Sequence, residues 1–120
     1  MKLVKLLIIF VLITLITLPA FSEEKKITVY VGENFKIELA SNMSTGYRWQ
    51  LAKPLDKNVI ELVSSDYFRS NTPLIGAGGK EVWVFKAVKC GETDIELFYL
   101  RPWESKQPED KNVYRVKVVK

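Results

Sequence analysis

From residue 27 onward this chain alternates apolar and polar residues in short runs, and no apolar period of three to four residues competes with that alternation. Successive side chains on an extended strand point to opposite faces, so each run can bury one face and wet the other. Ile27-Thr28-Val29-Tyr30-Val31 is the first run, rich in β-branched and aromatic residues. Gly32-Glu33 turns the chain into a second, Phe35 to Leu39, in which Phe35, Ile37 and Leu39 share a face. Tyr47 to Leu51 alternates again, and residues 53–58, with Pro54 and Asn58, form a turn-rich connection. Val59 to Val63 supplies a fourth strand that can extend to Phe68. In Glu81 to Ala87, Trp83, Phe85 and Ala87 lie on one face, with Val82 and Val84 on the other. Lys89-Cys90-Gly91-Glu92 leads into Thr93 to Tyr99, with Ile95, Leu97 and Tyr99 inward. Asn112 to Val119 closes the series, with Tyr114, Val116 and Val118 on the core side.

Seven short strands at this spacing predict an all-β fold, an immunoglobulin-like antiparallel β-sandwich. Three connections between them are irregular: Asn42-Met43-Ser44-Thr45-Gly46 before Tyr47, Gly76-Ala77-Gly78-Gly79, and Arg101-Pro102-Trp103. They occupy every second connection. If successive strands run in opposite directions, all three emerge at one end, and the turn holding Cys90 falls at the other. Unusual loops gathered at one end of a rigid β domain read as a binding surface.

The chain opens with Met1-Lys2-Leu3-Val4-Lys5, an uncharged run from Leu6 to Leu18, and Pro19-Ala20-Phe21-Ser22. A basic start, 13 uncharged residues and a small-x-small ending predict a secretory signal peptide over residues 1–22. The run is shorter than the roughly 20 residues of a membrane-spanning helix. Residues 23–120 then form one domain, secreted or periplasmic, with no membrane attachment after cleavage. Without Lys2 and Lys5 it carries 16 basic and 14 acidic residues, too balanced for a nucleic-acid partner. Nothing demands more than a monomer.

Cys90 is the single cysteine, so no internal disulfide can form. A half-buried structural role for it is expected over a reactive thiol. Histidine is absent, which removes Ser-His and Cys-His catalysis, histidine metal sites and the usual near-neutral acid–base group. The adjacent acidic pairs, Glu23-Glu24 and Glu109-Asp110, read as a solvated tail and a loop tip rather than paired catalytic carboxylates. No enzyme activity, metal or cofactor is expected.

Each loop carries a plain structural reading beside a functional one. A phosphate loop would place Lys and Ser/Thr after its last glycine and enter a helix, whereas Gly79 is followed by Lys80-Glu81-Val82 and a strand. The glycines either satisfy a turn requiring positive φ or provide a bare backbone that lies flat against a partner. Trp103 either caps the core, as Trp49 and Trp83 do from mid-strand, or projects at a loop mouth fixed by Pro102. Exposed Trp and Arg often dominate binding energy. Arg101 either contacts a partner or braces its own loop through an internal carboxylate.

At these residues the chain resembles the chagasin-type inhibitors of papain-like cysteine peptidases. The turn before Tyr47 and Trp49, the glycine loop preceding the fifth strand, and Arg101-Pro102-Trp103-Glu104 carry the resemblance, in that order and across most of residues 23–120. It implies an immunoglobulin-like sandwich that blocks a peptidase reversibly and non-covalently. Ser44-Thr45-Gly46 would be a central wedge entering the cleft beside the catalytic thiol and imidazole. The loop from Gly76 to Gly79 would lie along one side, and Arg101, Pro102 and Trp103 along the other, with Trp103 on peptidase aromatic surface. Loops ordered by a paired-strand scaffold forfeit less entropy on association. Three contact sites could reach a standard interface of roughly 800 Å² per partner.

The chain departs from the family in having Met43 where Pro is usual and Ser44 where Thr is usual. Losing Pro implies a less rigid loop. It also creates the acceptor pattern Asn42-Met43-Ser44, and a glycan there would block insertion, so Asn42 is expected to stay unmodified. The competing reading is a secreted adhesion or carbohydrate-binding sandwich using the same loops. A third, catalytic, reading would need a partner to supply the missing base.

Overall fold

The computed structural model describes residues 24–71 and 78–120. The expected leader, residues 1–22, and Gly76 and Ala77 of the glycine loop lie outside them. The strands are β1 (Glu24–Tyr30), β2 (Asn34–Ser41), β3 (Arg48–Leu51), β4 (Ile60–Arg69), β5 (Gly79–Ala87), β6 (Gly91–Leu100) and β7 (Asp110–Val119). They form two sheets, ordered β1-β7-β6-β3 and β2-β5-β4. The fold is an immunoglobulin-like sandwich. Pairing is antiparallel except between β1 and β7, which run parallel. That exception follows from the alternation itself, because the first and seventh of seven alternating strands point the same way.

The inward faces are those the alternation predicts. Phe35, Ile37 and Leu39 of β2 meet Trp83, Phe85 and Ala87 of β5 and Ile95 and Leu97 of β6, all buried. Phe35 stacks on Phe85 with ring centroids 5.5 Å apart. Tyr114, Val116 and Val118 close the core from β7, while Tyr99 is only partly buried at its edge. The turn from β1 to β2 needs its glycine: Gly32 has φ +91° and its N–H donates to Ala87 O at 2.8 Å.

Several expectations need correction. Tyr47 precedes β3 rather than opening it. The fourth strand begins at Ile60 and runs on to Arg69, and its pairing with β5 slips between Leu62 and Ser64. Val63 is the extra residue, and a bulge of this kind shifts the inward phase by one. Val63 is accordingly exposed, and Leu62 before it is exposed as well. Cys90, expected half-buried, is exposed in the turn between β5 and β6.

Candidate functional site

The connection from β2 to β3 crosses from one sheet to the other, and a single 3-10 turn, Met43–Thr45, makes the crossing. Asn42 caps it: its Oδ1 accepts from Ser44 N at 3.1 Å and from Ser44 Oγ at 2.6 Å. Thr45 Oγ1 donates to Asn42 O at 2.7 Å and accepts from Tyr47 N at 3.3 Å. Gly46 leaves the turn at φ +87°, and its N–H donates to Met43 O at 3.0 Å. Short polar side chains thus brace the turn that carries Met43.

The loop after β6 is fastened to this turn. Arg101 Nε donates to Thr45 O at 2.9 Å, and its guanidinium lies 3.4 Å from Glu104 Oε2. The same guanidinium stands 4.4 Å from the centroid of the Tyr47 ring. Tyr47 stacks on Tyr99 at 5.2 Å, and Tyr99 meets Trp49 in a tilted contact at 5.0 Å. An unbroken aromatic ladder therefore runs from the core to the Arg101 head group. Arg101 takes the bracing reading: its donors serve the neighbouring loop and Glu104.

Trp103 takes the projecting one. It is 71% exposed, far beyond Trp49 and Trp83 at 6% each. One edge of its indole rests over Gly46, where a Cβ would come within 2.5 Å of Cη2. Gly46 thus meets two requirements at once, a left-handed backbone and close approach of the indole.

Gly78 and Gly79 stand on the other flank. A Cβ on Gly78 would stand 3.3 Å from Ser41 O and 3.6 Å from Asn42 Cβ. Ser70 N donates to Gly78 O at 3.1 Å, closing the base of that loop. Gly79 already belongs to β5, paired with Ser41 and Arg69, and a Cβ there would collide with Phe68 O. Neither glycine has positive φ. Close backbone approach, rather than turn geometry, is what excludes a side chain at Gly79. Asn42, Met43, Ser44, Thr45, Gly46, Tyr47, Gly78, Gly79, Arg101, Pro102 and Trp103 thus gather at one end of the sandwich, and Cys90 lies at the opposite end.

Sequence reasoning missed three residues that hold these loops. Tyr99 OH accepts from Asn42 N at 3.0 Å. Glu81 is buried, and its carboxylate receives Ser41 Oγ at 2.7 Å and Trp49 N at 3.1 Å. Ser41 ends β2 on the inward face. The signal was present for Glu81, which stands in the same phase as Trp83, Phe85 and Ala87. A charge in the core phase of a strand must find hydrogen-bond partners.

The sequence pattern of the chagasin family, "Chagasin family peptidase inhibitor I42", matches residues 28–118. The chain is 35% identical to chagasin of Trypanosoma cruzi over 80 residues, 64% of this chain and 73% of that protein. It is 34% identical to amoebiasin-2 of Entamoeba histolytica over 93 residues, 72% of each chain. Its fold matches the cysteine protease inhibitor EhICP2 from Entamoeba histolytica with a TM-score of 0.65 at 25% identity, covering 83% of this chain and 99% of that one.

Proposed function

The chain belongs to the chagasin family of peptidase inhibitors, so it is a cysteine peptidase inhibitor and not an enzyme, and we propose how its loops do the work. The Ser44-Thr45-Gly46 tip enters the cleft of a papain-like peptidase. The loop ending at Gly78 and Gly79 lies along one rim, and Trp103 packs on the other. Relatives of the chain give the adhesion reading no support. The single observation that carries the proposal is the exposed indole of Trp103 seated on Gly46, beside a braced turn.

The mechanism is occlusion. The tip is narrow because its side chains are small, and its conformation is set before binding by Asn42, Thr45 and Arg101. A preformed plug loses little loop entropy on docking, so more of the contact energy appears as affinity. Resistance to cleavage follows where the 3-10 turn keeps its carbonyls out of line with the attacking thiolate. Arg101 serves as the strut, and Trp103 as the energetic anchor.

The chain acts outside the cytoplasm as a monomer, after removal of residues 1–22, with Asn42 unmodified. The Asn42 side chain is engaged by Ser44, and a glycan on it would stand in the wedge. Intact mass of the exported protein tests the leader and the modification together. Titration of papain tests the function: one equivalent of inhibitor should abolish hydrolysis, and activity should return on dilution. No inhibition across a panel of papain-like peptidases would overturn the proposal.

A further inference from the structure

Glu81 faces the interior near the start of β5, between Leu39 of β2 and Tyr67 of β4 in register. It is 8% exposed, and among the described residues no cation pairs with it. Its two oxygens instead receive three donors. Oε2 accepts from Ser41 Oγ at 2.7 Å and Trp49 N at 3.1 Å, and Oε1 accepts from the Trp83 indole N–H at 3.2 Å. Ser41 is the last residue of β2 and Trp49 the second of β3, so these partners are the two stems of the wedge loop. Among the described residues β3 is an edge strand paired with β6 alone, and its Trp49 N–H is satisfied across the sandwich by this carboxylate.

We infer that Glu81 is the positioning residue of the inhibitory surface: one oxygen ties both stems of the 42–47 loop to the strand that leaves the glycine loop. Gly79 lies two residues before Glu81 on β5 and pairs with Ser41. A shift of Glu81 therefore moves the spacing between wedge and glycine loop. Trp49 adds a second tie, its indole N–H donating to Ala40 O at 2.9 Å, which holds β3 against β2 beside the same carboxylate. In some proteins a buried polar network fixes one geometry that an equally stable apolar replacement does not. The inference rests on the inhibitor reading for its effect on peptidases, but not for its effect on the loop.

The test uses the whole protein, with amide exchange at Ser44 to Tyr47 and inhibition of papain as two readouts. Glu81→Leu fills the volume but accepts nothing. Exchange in the loop should quicken and papain inhibition weaken about tenfold or more, as expected for losing hydrogen bonds to a charged group. Glutamine has one acceptor oxygen, which can serve Ser41 and Trp49 if its amide nitrogen does not face the Trp83 indole N–H. Glu81→Gln combined with Trp83→Phe should therefore retain slow exchange and inhibition despite losing indole packing. A merely structural role predicts the reverse, with the double variant worst. Unchanged loop exchange in Glu81→Leu, or a double variant as loose as Glu81→Leu, overturns the inference. If Glu81→Leu does not fold, Ser41→Ala removes a single donor: faster loop exchange supports the inference and unchanged exchange overturns it. A wild-type protein that fails to inhibit papain refutes the functional reading, while the exchange data still decide the role of Glu81.

Discussion

Replacing Gly46 by alanine separates backbone strain from steric displacement at one atom. The left-handed conformation, φ +87°, costs an L-residue about 1–2 kcal/mol. For a domain of this size about 1 kcal/mol lowers Tm by about 4–8 °C. The new methyl would also stand 2.5 Å from Trp103 Cη2, so the indole must retreat by about 1 Å to reach a normal carbon contact. That retreat is cheap for the free protein, because Trp103 is 71% exposed and can swing into solvent. In the complex it misplaces the anchor, and the loss should approach that of Trp103→Ala, about 2 kcal/mol or more. Papain inhibition and thermal melting of Gly46→Ala, Trp103→Ala and the double variant form a cycle. The Tm loss of Gly46→Ala should persist without Trp103, whereas its effect on Ki should largely vanish. Equal Ki penalties in the two backgrounds would refute the idea that Gly46 acts by seating the indole.

Other perturbations probe the strut, the glycines and the core. Arg101→Lys should weaken papain inhibition about tenfold with little change in Tm, since an ammonium cannot hold Thr45 O, Glu104 and the Tyr47 face together; wild-type Ki would remove Arg101 as a strut. Gly79→Ala should destabilise the fold far more than Gly78→Ala, because its methyl meets Phe68 O in the backbone whereas Gly78 faces Ser41 O at 3.3 Å; equal melting losses would contradict this. Burial raises the Tyr114 hydroxyl above its ordinary value of 10.0, so the folded state holds that proton more tightly than the unfolded chain. Its contribution is therefore intact below about pH 10 and is lost as pH rises beyond it. Urea melts between pH 8 and 11 should show a shallower alkaline decline in Tyr114→Phe, and an identical decline would contradict the sign.

The sandwich was readable because period-two alternation ties each strand to a face, and parity then sends every second connection to the same pole. The bulge at Val63 was not legible, since it breaks the phase on which the reading depends. The exposure of Cys90 was not legible, because burial tendency says nothing about a turn residue pointing outward. The three loop segments were legible as unusual, but their mutual fastening was not. Arg101 to Thr45, Trp103 over Gly46 and Tyr99 to Asn42 join residues more than fifty positions apart, and no local pattern encodes such a pair. Glu81 was visible in the core phase of its strand, yet its partners, Ser41 and Trp49, lie on two other strands.

Alkylation of papain's active-site thiol by iodoacetamide, with and without saturating inhibitor, tests most directly whether this end of the sandwich plugs the cleft. Cys90 supplies an internal control, being exposed at the other pole. The account predicts that the papain thiol becomes unreactive while Cys90 is modified at the same rate free or bound. A papain thiol that still alkylates in the complex, or protection of Cys90 instead, would contradict it.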